Sequence, residues 1–99
     1  MFVELTLEFF LTHVGQSFTA THPDGAAVSM LLAGAEAGPT DNDPRRTRQP
    51  FSLIFRPGPG QQLTQGTYSL ASEHVDAIDV FLVPILPDRD GPRVQAVFA

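Results

Sequence analysis

The residues most suggestive of chemistry lie in Arg56 to Gly66, RPGPGQQLTQG, where three glycines and two prolines separate two apolar runs. A phosphate-cradling loop needs G-x-x-x-x-G-K-[ST] between a strand and a helix, because a helix N-terminus and successive backbone N–H groups hold the anion. The chain contains no Lys, Pro57 and Pro59 each remove an N–H, and the residues that follow, TYSL, read as a strand. The stretch is therefore expected to be a loop joining two antiparallel strands. Histidines His13, His22 and His74 are scattered. His74 with Asp76 and Asp79 forms the only local grouping, short of the three or four converging ligands a transition metal takes. Asp88 to Gly91, DRDG, resembles a calcium loop but lacks its alternating oxygen ligands and closing Glu, and it suits a β-turn. No Ser or Thr stands in a nucleophile elbow. No catalytic residue, cofactor site or metal site is expected, and the chain reads as non-enzymatic.

Composition narrows the partners. Eleven acidic residues against six Arg give a net charge of −5, the wrong sign for a phosphate backbone. Arg45, Arg46 and Arg48 form a cluster, but Asp41 and Asp43 lie just upstream, so a solvated loop is expected there. The absence of Cys removes disulfides, thiolate nucleophiles and Cys-based zinc sites. No apolar run approaches the ~18 residues that span a bilayer, and Glu4 and Glu8 stand where a signal peptide would carry cations. A soluble, cytoplasmic protein is expected, with a protein partner or a homo-oligomeric state and neither nucleic acid nor membrane as partner.

The elements that would position these residues follow from periodicity. Leu7, Phe10, Leu11 and Val14 share a helical face, Thr6 can cap it and Gly15 can end it, so a helix is expected over Leu7 to Val14 after an extended Phe2 to Leu5. Thereafter the pattern alternates. Strands are expected at Ser17 to His22 and Ala27 to Ala35, joined at Pro23, Asp24 and Gly25, and again at Phe51 to Arg56, Gly66 to Ala71, Ile78 to Ile85 and Arg93 to Phe98. Ile78 to Ile85, IDVFLVPI, is the most continuous apolar run and is expected to be central and covered on both faces, with Pro84 marking where pairing stops. A long polar loop is expected over about residues 36–49, within GAEAGPTDNDPRRTRQ. The 99 residues suit one domain: an all-β, antiparallel, six-stranded barrel, or a sandwich, with one short N-terminal helix.

Such a barrel has one interior. If Phe51, Leu53 and Phe55 face it, Ile54 faces away, and either Phe81 and Val83 or Val80 and Leu82 do likewise, as does Val97. Ile54, Phe81, Val83 and Val97 must then be covered by the helix, the long loop or another chain, and whatever remains open is a candidate association surface. The leading expectation is a structural or protein–protein interaction module. The alternative is a small-molecule-binding barrel lined by some of Phe51, Phe55, Tyr68 and Phe98.

Four segments also carry a resemblance: VGQSF at Val14 to Phe18, PFSLIFR at Pro50 to Arg56, LTQGTY at Leu63 to Tyr68 and FLVP at Phe81 to Pro84. Over nearly its whole length the chain resembles a family of small uncharacterised bacterial proteins, from which it departs at Pro57 and in an extended loop from Gly38 to Gln49. The resemblance implies no activity and no catalytic residues. Some members look associated with phage-tail-collar-like proteins, which implies a structural or assembly role.

Overall fold

The structure is a computed structural model and describes residues 6–38, 50–58, 61, 63–73 and 75–98. A short helix, α1 (Leu7–Leu11), precedes six strands: β1 (Ser17–Thr21), β2 (Ala27–Ala37), β3 (Phe51–Pro57), β4 (Gly66–Ser72), β5 (Val75–Asp88) and β6 (Gly91–Phe98). All neighbouring pairs are antiparallel, and the order β1-β2-β3-β6-β5-β4 closes into a barrel. Closure comes from the pairing of β1 with β4, Thr19 opposite Ala71 to Thr21 opposite Ser69. It satisfies backbone groups that an open sheet would leave on its edges.

Alternation decides what fills the interior. On β3 the buried residues are Phe51, Leu53 and Phe55; on β5 they include Val80 and Leu82; on β6, Val94 and Ala96. Phe18, Ala20, Met30, Leu32, Tyr68 and Leu70 complete the core from the other strands. Successive side chains on a strand point to opposite faces, so each inward set leaves the intervening residues outside.

The helix closes one end of the barrel. Thr6 caps it, its Oγ1 accepting the Phe9 N–H at 3.2 Å. Phe10 is fully buried, with its ring 5.8 Å from that of Phe51 and 5.6 Å from that of Phe98. The helix ends at Leu11, not Val14, as the following turn is tied to β2: the Gly15 N–H donates to Leu32 O, and the Leu32 N–H returns to Gln16 O. Gly15 does take the expected left-handed conformation, at φ +95°.

Three expectations about the strands change. Residues 36 and 37 belong to β2 and not to the polar loop, since Gly34 to Ala37 pair with Ile54 to Phe51 beyond a register shift between Leu32 and Gly34. Residues 39–49, with Arg45, Arg46 and Arg48, lie outside the described residues, as do Phe2 to Leu5 and His74. β5 is longer than expected and is covered on one face only: Phe81 is 52% exposed. Its apolar continuity reflects a barrel wall with an apolar outer face, where a second buried face was anticipated. Finally, pairing continues past Pro84 on one side. Against β4 it ends at Leu82, whereas against β6 it runs through Pro84 opposite Val94 to Asp88 opposite Gly91. A proline lacking its N–H is compatible with a strand whose other edge has lost its neighbour.

Candidate functional site

The four residues singled out by alternation meet on one wall. Ile54 on β3 and Val83 on β5 both lie opposite Gln95 of β6, so the three form one cross-strand row on the outer face. Leu82 lies opposite Ala96, and both point inward. The antiparallel register therefore sets Phe81 beside Val97 in the next outer row, between Ser52 of β3 and Thr67 of β4. Ile54 and Val83 are half-buried by their neighbours, while Val97 is 63% exposed. The helix covers none of this surface, because Phe10 anchors it at the barrel end.

A charged cluster borders the wall towards the opposite end. Phe55 faces Val94, which places Arg56 next to Arg93. The Arg56 guanidinium donates to both carboxylate oxygens of Asp88, at 2.9 and 2.6 Å, and Arg93 donates through Nε and a terminal nitrogen to Leu86 O, at 3.0 and 2.7 Å. The Arg56 hydrogen bonds pull the Asp88 carboxyl down to about 2, helped by the Asp90 N–H, which donates to Asp88 Oδ1 at 3.0 Å. Asp88 is committed to this bidentate pair, and DRDG is the turn of the β5–β6 hairpin, with Gly91 at φ +115°. Ile54, Phe81, Val83 and Val97 thus form an apolar group with the Arg56–Asp88 pair on its border.

The glycine and proline stretch has a different role. β3 pairs with β2 and β6, and β4 with β1 and β5, so Arg56 to Gly66 is not the tip of a hairpin. The described residues of the stretch are tied to β2, where the Gly58 N–H donates to Ser29 O and Gln61 Oε1 accepts the Ser29 N–H, both at 3.1 Å. Leu63 packs on the core, and the Tyr68 hydroxyl donates to Thr64 O at 2.8 Å. No helix follows, so the geometry of a phosphate cradle is absent at this position.

Leu63 lines two open clefts. One, of about 240 Å³, is walled by Pro57, Pro84, Pro87 and Pro92; the other, of about 230 Å³, by His22, Asp24, Val28, Thr64 and Tyr68. The second group went unnoticed in the sequence, although His22 shares the parity of the inward Phe18 and Ala20. Of the rings suggested as a ligand pocket, Phe51, Phe55 and Tyr68 are buried core, and Phe98 stacks on Phe51 at 4.9 Å. Among the described residues no three His, Asp or Glu side chains converge as metal ligands, and Asp76 and Asp79 are exposed.

Among the described residues no helix is long and apolar enough to cross a membrane. No curated protein and no solved structure matches the chain. The model of one family, described as a domain of unknown function, DUF6916, matches residues 5–98. With its barrel, its end-capping helix and its apolar outer wall inside that span, the chain belongs to the DUF6916 family.

Proposed function

We propose that this protein is a non-enzymatic structural or interaction module that associates, with a second copy of itself or with another protein, through the outer face of β3, β6 and β5. The observation that supports this reading is the meeting of Ile54, Phe81, Val83 and Val97 on one wall, beside the Arg56–Asp88 border, where Phe81 and Val97 are exposed. Contiguous exposed apolar surface of more than a few hundred Å² is uncommon on monomers and marks interfaces. The net charge of −5 without Lys favours a protein over a nucleic acid as the partner. The family resemblance suggests a narrower form, a bacterial cytoplasmic protein seated in a larger, phage-tail-like particle.

The test is light scattering over a concentration series, on the wild type and on Phe81→Asp. Phe81 is half exposed, so the substitution is tolerated by the fold, and circular dichroism should show an unchanged spectrum. Burying an unpaired carboxylate in an apolar interface costs several kcal/mol, so association should fall at least tenfold. A wild type that stays monomeric at every concentration and retains no protein from its host's extract would sink the reading.

A further inference from the structure

The cleft beside Leu63 has features that association through the outer wall does not use. It is lined by Val28, Leu63 and the largely buried Tyr68 together with His22, Asp24 and Thr64. The His22 ring meets the Tyr68 ring edge-on, with centroids 5.3 Å apart. Asp24 Oδ1 accepts the Ala26 N–H at 2.8 Å, which keeps the carboxyl below its ordinary range and charged at neutral pH. Asp24 Oδ2 has no hydrogen-bond partner among the described residues.

Among the described residues, the one side chain beside Asp24 that can carry a positive charge is His22. His22 Nδ1 lies 3.1 Å from Asp24 Oδ1, yet it is also positioned to accept the Asp24 N–H at 3.2 Å. One nitrogen cannot do both at once: it donates to Asp24 Oδ1 only when it carries a hydrogen and accepts the Asp24 N–H only when it does not. Among the described residues no Arg pairs with the Asp24 carboxylate, which stands at the rim of the cleft.

We propose that this cleft binds a small organic cation, a primary ammonium on a short apolar or aromatic stem. The stem lies against Val28, Leu63 and Tyr68, and the ammonium pairs with Asp24. Electrostatics decide against the anionic counterpart: Asp24 repels it, and so does the net charge of −5. A cleft of about 230 Å³ suits a ligand smaller than the drug-sized molecules that fill pockets of about 300–1,000 Å³.

The experiment is an NMR titration of the full chain with phenethylammonium, its anionic near-isostere phenylacetate, and a peptide containing one Lys. The amine should give saturable shifts at His22, Thr64 and Tyr68, and phenylacetate should not. Asp24→Asn retains an oxygen for the Ala26 N–H, so the turn survives, and affinity for the amine should drop about two- to fivefold, the scale of an exposed ion pair. Tighter binding of the Lys peptide, equally dependent on Asp24, supports the site and assigns its cation to a side chain of a partner protein. The proposal is overturned if phenylacetate binds as well as the amine, if no shift saturates, or if Asp24→Asn binds like the wild type. Because Phe81 lies on the outer wall, Phe81→Asp should bind the amine unchanged whether or not it associates.

Discussion

Phe10→Ala tests whether the helix is held by the barrel or merely precedes it. An isolated helix shorter than about 12 residues is marginal in water, and α1 has five. Its position must come from tertiary contact, and its one buried residue is Phe10. That ring sits against Phe51 and Phe98, which are themselves stacked with 6° between their planes, and it meets Phe9 edge-on at 5.3 Å. Truncation removes the third ring from this stack and opens the barrel end. A buried Phe→Ala change costs about 3–5 kcal/mol, against a total stability of about 5–15 kcal/mol for a native domain. In a chain of this size each kcal/mol moves Tm by about 4–8 °C, so a fall on the order of 15–30 °C is expected. Urea and thermal denaturation followed by circular dichroism measure it. Leu11→Ala is the control, since Leu11 is 49% exposed on the same helix and should change stability by about 0.5 kcal/mol or less. A loss below about 1 kcal/mol for Phe10→Ala, or an equal loss for Leu11→Ala, would refute the reasoning.

Two further outcomes follow from local geometry. Asp88 is held at about 2 in the fold against an ordinary 3.8, so its pairing with Arg56 contributes stability above the unfolded value and loses it as pH falls through the folded one. The Tm difference between wild type and Asp88→Asn should therefore be constant above pH ~5 and shrink between about pH 4 and 2; a difference unchanged down to pH 2 contradicts the pairing. Gly25 has φ +97° in the β1–β2 turn, whereas Gly34, in β2, has no positive φ and nothing within 4 Å of an added Cβ. Gly25→Ala should destabilise by about 1 kcal/mol or more and Gly34→Ala should stabilise by about 0.4–1 kcal/mol, as read from urea midpoints; the opposite order would show that the turn conformation is misassigned.

What alternation could reveal, it revealed. Period-2 patterning is carried by adjacent residues, so Phe51, Leu53 and Phe55 against Ile54, or Val94 and Ala96 against Val97, declare their two faces without reference to the rest of the chain. The same holds for the turn at Pro23 to Gly25 and for the cap at Thr6, whose signals lie within four residues of their effect. Boundaries were less legible. The helix stopped short of Val14 as the following turn is tied to β2, and β2 ran on to Ala37 because β3 was there to pair with it. For β5, a continuous apolar run cannot distinguish a strand buried on both faces from a barrel wall with an apolar exterior.

The sequence by itself determined the strands and the two faces of each, because alternation is written in local spacing; for β5 it left open which face turns inward, and the structure buries Val80 and Leu82. Only the tertiary structure decided that Ile54, Val83 and Val97 share a wall with Phe81, since the order β3-β6-β5 brings together strands whose outward residues lie 14 to 43 positions apart. It alone placed the helix at the barrel end, drew Arg56 to Asp88 across 32 positions, and set Leu63 and Thr64 beside His22 and Asp24. Those juxtapositions depend on how the sheet closes, and closure depends on non-local pairing that no short window of residues contains.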